Sequence, residues 1–259
     1  TGGDGSSTFN ISTAVSFIVA AAGVPVFKHG NRSITSKCGS ADLIEGLGIR
    51  LDPPHEVLRE SLKELNFCFF FAPAFHPAFK EIMPVRQALA EQKRRSIFNL
   101  LGPLINPGRP AYQLMGVFAR AWVEPIAGAL DEIGLKAGLV AHCTPAEGLN
   151  LDELSCVGLN HIAGFGSFLG RLGNLSVEEA GLTSCGLDSL RGGNVDDNIR
   201  ILNLIFNGQR EEVPEGLINS ILLNAGAAFW IAGRSDDLCS GVELARGLLE
   251  SGSAGQWLK

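Results

Sequence analysis

The sequence predicts an α/β fold with a mostly parallel central sheet flanked by helices. From residue 1 to about residue 142, apolar strand patterns, polar loops and helical patterns alternate, as they do in βαβ units. Hydrophobic residues make up 46% of the chain and charged residues only 19%, below the roughly 25% of soluble domains. Much of the chain is therefore expected to be buried, as in a sheet that helices cover on both faces.

The N-terminal half is predicted to begin with a buried helix over 10–23. Asn10 or Ser12 can cap the start of this helix, and Gly23 can end it. The helical patterns that follow cover 40–48, 53–65, 76–92 and 122–133. The strand patterns cover 24–27, 67–71, 113–118 and 135–142.

The C-terminal half has a different pattern. Residues 154–190 are rich in glycine and favour short strands. From Asn194 onward the apolar periodicity is helical, and it predicts helices over 194–207, 214–233 and 236–251. Because no repeat and no low-complexity linker interrupts the sequence, no domain boundary is visible in it.

Charge and cysteine content exclude several classes of protein. The formal net charge of −6 argues against a general nucleic-acid binder, so an anionic substrate needs a local positive patch or a metal ion. The six cysteines form no C-x-x-C pair, which favours reduced, mostly buried thiols and a cytoplasmic location. The sequence has no apolar run of about 18 residues, so we expect no membrane partner.

The opening stretch of the chain carries the most informative motif, because Gly2, Gly3 and Gly5 surround Asp4. Glycine lets backbone N–H groups approach an anion, and the start of the following helix presents further free N–H groups. This composition favours a phosphate-binding loop over a plain surface turn. The hydroxyl and amide side chains that follow the loop are those of Thr8, Asn10, Ser12 and Thr13.

Three further polar clusters follow predicted strands, where ligands bind in open α/β sheets. The segment 28–33 holds two cations, which favours an anion site over a solvated turn. His76 and Arg86 suit a carboxylate, although a histidine before proline is often only the start of a helix. Asp152 and Glu153 can bind Mg²⁺ beside a substrate phosphate, and the alternative is an exposed acidic pair.

Taken together, these segments and several others resemble the anthranilate phosphoribosyltransferase family. The matching blocks occur in the family's order over nearly the whole chain, which makes the resemblance specific. The blocks are 1–5, 8–13, 28–33, 39–42, 75–78, 97–107, 152–155 and 223–228.

The resemblance implies a nucleoside-phosphorylase-like large α/β domain with remnants of a small helical domain. Residues 1–259 would form the α/β domain, the N-terminal part of the small domain would be missing, and residues about 80–105 would pack with it. The implied reaction transfers the 5-phosphoribosyl group from phosphoribosyl pyrophosphate (PRPP) to anthranilate and releases pyrophosphate, in tryptophan biosynthesis. The resemblance also implies a pair of Mg²⁺ ions per site and a homodimer in the full-length form.

The resemblance also assigns roles residue by residue. The metal ligands would be Ser12, Asp152 and Glu153. The contacts to PRPP would come from Gly2, Gly3, Asp4, Thr8, Asn10, Ser12, Lys28 and Ser40. The anthranilate path would be lined by His29, Asn31, His76, Phe79 and Arg86. No residue is assigned as a catalytic base, and His76 is at most a proton acceptor.

Two features depart from the family pattern. The segment 148–153 is longer than the family's usual Gly-Leu-Asp-Glu, and Phe79 stands where relatives have Tyr or Met. Two alternatives therefore stay open: a paralogue with another aromatic acceptor and a non-catalytic binding protein. His76 and Arg86 favour an acidic acceptor such as anthranilate. The negative net charge and the intact acidic pair weigh against the binding protein.

Overall fold

A computed structural model gives the fold of the chain and describes residues 8–33, 37–92, 94, 96–145 and 149–259, except the side chains of 79, 80, 83, 86, 87, 90 and 98. Helices and strands alternate in its first part, and helices dominate after residue 194, as predicted. The helices are α1 Ile11–Ala21, α2 Ser40–Gly46, α3 His55–Leu65, α4 Ala72–Phe75, α5 Pro77–Glu91, α6 Phe98–Leu104, α7 Val123–Ile133, α8 Val195–Phe206, α9 Glu215–Ile231, α10 Leu238–Glu250 and α11 Ser253–Leu258. The strands are β1 Val26–Gly30, β2 Phe67–Phe71, β3 Tyr112–Gly116, β4 Ala137–Pro145, β5 Gly158–Gly166 and β6 Leu172–Leu175.

The described strands form a mixed arrangement, so the prediction of a mostly parallel sheet needs correction. β1 pairs with β2 in parallel, and β3 pairs with β4 in parallel. β4 with β5 and β5 with β6 are antiparallel pairs. The connection explains the direction of β6: a parallel neighbour requires a crossover of about a dozen residues, and only residues 167–171 join β5 to β6. Gly166 (φ 61°) and Gly170 (φ 88°) adopt the left-handed backbone that this tight turn requires.

The main core surrounds α1 and α9, two helices that are buried along most of their length. Phe17 of α1 packs edge-on against Phe67 of β2, with ring centroids 5.2 Å apart. Trp257 of α11 lies 5.6 Å from the same Phe17 ring and donates its indole N–H to the carbonyl of Leu65 at 2.9 Å. The C-terminal helix therefore covers the first helix.

A second core lies on the other part of the fold, between α7 and the four-stranded sheet. Its centre consists of Leu130 of α7, Val140 of β4 and Phe165 of β5, all almost fully buried. Four of the six cysteines are buried and all six are free thiols, which confirms the prediction of reduced, mostly buried cysteines. None of the described helices combines the length and apolarity that crossing a membrane requires.

Close helix packing at Gly226 of α9 provides a stability test. A methyl group at Gly226 would lie 2.7 Å from the backbone nitrogen of Val242 on α10, whereas a methyl group at Gly247 of α10 meets open space. We expect Gly226→Ala to lower the free energy of unfolding by about 1–3 kcal/mol, because overpacking separates the two helices. Gly247→Ala, the matched control, should raise it by about 0.5–1 kcal/mol. Urea denaturation measures both, and equal effects of the two variants would contradict the packing.

Candidate active site

Lys28 connects the start of α1 to the acidic pair. Its ammonium group donates a hydrogen bond to the Ser12 hydroxyl at 2.8 Å. Burial lowers the pKa of Lys28 to about 8, and the negative charge of Glu153 partly opposes this shift by raising the pKa. Glu153 is therefore close enough to interact electrostatically with Lys28. One place therefore holds residues of three different predicted motifs: Ser12, Lys28 and Glu153.

The acidic pair is positioned by backbone contacts at the ends of two strands. Leu151 is buried and exchanges two hydrogen bonds with Cys143 of β4, at 2.9 and 3.0 Å. Gly116 ends β3, and a side chain there would collide with the carbonyl group of Asp152. Glycine is therefore required at the point where the acidic segment crosses the end of β3. The longer segment found here keeps Asp152 and Glu153 at the carboxyl ends of β3 and β4.

The oxygen donors at this place fit Mg²⁺. A hydroxyl from Ser12 and carboxylates from Asp152 and Glu153 are hard ligands, which Mg²⁺ prefers. Among the described residues, no group of three His, Cys, Asp or Glu side chains forms a metal cage. Mg²⁺ commonly uses one or two carboxylates and completes its shell with water and substrate phosphates. The residues present therefore fit a metal that binds together with a phosphorylated substrate.

A second cluster consists of His29, near the end of β1, and His76, the residue directly after α4. Their ring centroids are 5.1 Å apart, and the His29 Nδ1–H donates to the carbonyl of Gly102 at 3.1 Å. Burial, followed by the nearby His76, lowers the pKa of His29 to about 4. Because a carbonyl only accepts, the neutral ring carries its proton on Nδ1. The buried Nε2 of His29 is left as a hydrogen-bond acceptor.

The segment after β1 places Asn31 and Ser40 beside this cluster. The Ser40 hydroxyl occupies the space that a side chain at position 30 would fill, so Gly30 is required there. The carbonyl of Asn31 accepts a hydrogen bond from the backbone N–H of Ala41 at 3.2 Å. Arg32 is engaged elsewhere, with ion pairs to Asp42 at 3.2 Å and Glu45 at 2.7 Å. One of the two cations in this motif is therefore neutralised by the protein itself.

The start of α1 is held by residues that the sequence analysis did not single out. The backbone N–H of Asn10 donates to the side chain of Asn198 on α8 at 3.0 Å, and Asn10 accepts from the Thr13 hydroxyl at 2.7 Å. Thr8 forms an isolated bridge with Arg191. The contact between Asn10 and Asn198 spans 188 residues, so no local pattern indicates it.

Several predicted site residues lie outside the described part of the structure. The glycine loop with Gly2, Gly3 and Asp4 is outside it, as are the side chains of Phe79 and Arg86. The roles of these five residues stay predictions. Two groups of the described site residues are joined by direct interactions: Ser12 with Lys28 and Glu153, and His29 with His76.

The low pKa of His29 predicts a pH-dependent stability. Between pH 6.5 and about 4, the unfolded chain binds a proton on His29 that the folded chain does not bind. The free energy of unfolding should therefore fall as the pH falls through this window. His29→Gln should lose less stability over the same interval than the wild type. The matched control is His55→Gln, which replaces an exposed histidine at the start of α3. Urea denaturation at a series of pH values measures this, and equal slopes for wild type and His29→Gln would refute it.

Comparisons with known proteins identify the family of this chain. The family model described as "Glycosyl transferase family, a/b domain" matches residues 1–255. An anthranilate phosphoribosyltransferase of Bradyrhizobium sp. is 42% identical over all of this chain and 74% of its own length. The crystal structure of the Thermus thermophilus enzyme of the same name is 43% identical, with a TM-score of 0.87 over 99% of this chain and 73% of that one.

A third match extends the similarity in fold to a more distant protein. The anthranilate phosphoribosyltransferase of Saccharomyces cerevisiae, solved in complex with PRPP and Mg, is 24% identical and has a TM-score of 0.85. This match covers 99% of the present chain and 69% of the yeast chain, and it shows the shared fold. With its α/β fold, its acidic pair beside Lys28 and these matches over its whole length, the chain belongs to the anthranilate phosphoribosyltransferase family.

Proposed function

We propose that this chain transfers the 5-phosphoribosyl group of PRPP to the amino group of anthranilate and releases pyrophosphate, a step of tryptophan biosynthesis. The observation that carries the proposal is the convergence of Ser12, Lys28 and Glu153 at the ends of the strands. A cation, a hydroxyl and a carboxylate at one point are suited to a metal-bound diphosphate. The family match over residues 1–255 supports the same reaction.

The chemistry requires stabilisation of a leaving group. When the bond between the ribose C1 and pyrophosphate breaks, negative charge grows on the pyrophosphate and positive charge on the ribose. Lys28 is held in place by Ser12 before substrate arrives, so little reorganisation is needed to neutralise the growing negative charge. Bound Mg²⁺, held by Ser12, Asp152 and Glu153, would supply Lewis-acid stabilisation of the same charge. Thr8, Asn10 and Ser40 are proposed to add hydrogen bonds to PRPP, together with Gly2, Gly3 and Asp4.

The residues at the proposed anthranilate position orient the amino group of the acceptor. The Nε2 of neutral His29 can accept a hydrogen bond from the amino group of anthranilate and so direct the nitrogen toward the ribose. With a pKa of about 4, His29 is a weak base, so we assign it orientation and not proton abstraction. Alignment of the reacting atoms alone supplies a large share of the rate in such transfers. We propose that His76, Asn31 and Phe79 line the path to this position. Arg86 is proposed to face the carboxylate.

Three finer points of the proposal come from the family resemblance. They are a pair of Mg²⁺ ions per site, a homodimer of the full-length form, and the packing of residues about 80–105 with a small helical domain. Within that range, α6 contacts β1, because the carbonyl of Gly102 accepts a hydrogen bond from the His29 ring. Calorimetric titration of Mg²⁺ and analytical ultracentrifugation test the first two.

Removal of the acidic pair tests the proposed reaction. We expect the double variant Asp152→Ala, Glu153→Ala to lower turnover about a thousandfold, because the metal-bound charge compensation is lost. The matched control is the double variant Glu211→Ala, Glu212→Ala. It removes two consecutive glutamates that are exposed in the turn after α8. The loss of anthranilate fluorescence with PRPP and Mg²⁺ measures turnover. Unchanged turnover of the first variant at saturating Mg²⁺ would refute the proposal.

A further inference from the structure

The segment directly after the acidic pair is buried but belongs to no helix or strand. Residues Leu154, Ser155 and Cys156 are fully buried, and Val157 is nearly so. A buried backbone without regular structure leaves its N–H and C=O groups without the partners that a helix or sheet provides. Each such group must then be satisfied by another part of the protein.

Side chains supply these partners. The amide of Asn160 on β5 accepts from the Ser155 N–H at 2.8 Å and donates to the Ser155 carbonyl at 2.8 Å. The Ser220 hydroxyl accepts from the Cys156 N–H at 3.1 Å. The amide of Asn224 donates to the Leu154 carbonyl at 2.6 Å. We call Asn160, Ser220 and Asn224, two amides and a hydroxyl, the buried polar network.

Two members of the buried polar network lie on one face of α9. Ser220 and Asn224 are four residues apart, so they lie one above the other along the helix. α9 is buried almost all round, and an amide in such a helix is unfavourable unless it is hydrogen-bonded. Besides Leu154, the Asn224 amide donates to the Ser220 carbonyl of its own helix at 2.8 Å. Outside α9, the Asn224 amide therefore contacts Leu154, the residue that directly follows Glu153.

The acidic pair is therefore anchored on both sides. Upstream, Leu151 is paired with Cys143 of β4. Downstream, Leu154 is bound by Asn224 of α9. Only Asp152 and Glu153 lie between these two anchors, so the direction of their carboxylates depends on both of them. Groups that orient metal ligands in this way change metal affinity when they are removed.

We propose that Asn224 is a positioning residue for the metal site: it fixes the Leu154 carbonyl, and with Ser220 and Asn160 it holds Asp152 and Glu153 in the geometry that binds Mg²⁺ with pyrophosphate. This inference rests on the proposed function of that site. It assigns a role to the 223–228 block, which the reaction itself leaves unused.

Asn219 provides a matched control for Asn224. Both asparagines lie on α9 and both are 5% exposed. The Asn219 amide donates to the Thr183 hydroxyl at 3.0 Å, in a loop that carries no residue of the proposed site. Asn224→Ala and Asn219→Ala therefore remove the same group from the same helix, and only the first removes the anchor next to Glu153.

The experiment compares these two variants with the wild-type protein. Asn224→Ala should raise the Mg²⁺ concentration for half-maximal activity about tenfold or more and leave the KM for anthranilate unchanged. Asn219→Ala should leave both values unchanged, although each variant lowers the melting temperature. A direct measurement uses Mn²⁺ as the probe: electron paramagnetic resonance of free Mn²⁺, with pyrophosphate present, should show about tenfold weaker binding to Asn224→Ala.

The inference would be overturned if Asn224→Ala bound Mg²⁺ and Mn²⁺ as tightly as Asn219→Ala does. Asn224 would then be a purely structural residue. If Asn224→Ala does not fold, Ser220→Ala carries the same test, because it removes only the hydroxyl that binds the Cys156 N–H. A wild-type enzyme without Mg²⁺-dependent transfer would overturn the proposed function instead. The Mn²⁺ measurement would then still decide the role of Asn224.

Discussion

The active site depends on one half-buried cation, Lys28, that is held between a helix start and a carboxylate. Its ammonium group binds the Ser12 hydroxyl and interacts with the charge of Glu153, while burial keeps its pKa near 8. A partly desolvated ammonium is a strong partner for an incoming phosphate, since little of its hydration remains to be removed. The strand ends, the acidic segment and α1 all meet around this group, so its position links the elements that we propose to bind PRPP.

Local patterns predict the elements of this fold well. The five-residue apolar run 67–71 has the same bounds in the structure as in the sequence prediction, and α9 differs from its predicted range by one residue at its start and two at its end. The direction of β5 and β6 could not be predicted in this way, because strand direction depends on the connection and not on residue preference. Helix α11 was also missed, since its six residues follow Gly252 without a long apolar period.

The site was predictable where chemistry is local and not where it depends on distant contacts. The types and order of their side-chain groups predict an anion and metal site at Lys28, Ser12 and Glu153, and the structure brings these three residues together. The pairing of Arg32 with Glu45, which removes one cation from the site, follows from the position of α2 and not from the motif at 28–33. The need for Gly116 is equally non-local, because it arises from the passage of Asp152 across the end of β3.

The packing of Trp257 against Phe17 has a consequence for the synthesis of the protein. These two rings come from opposite ends of the described chain, and the indole of Trp257 also binds the Leu65 carbonyl, 192 residues away. Contacts of this sequence separation form slowly, since a long loop must close before they add stability. On the ribosome, the part of α1 that packs against Trp257 stays uncovered until α11 has been synthesised. The nascent chain therefore exposes this apolar part of α1 for most of its synthesis, a state in which unfinished chains aggregate easily.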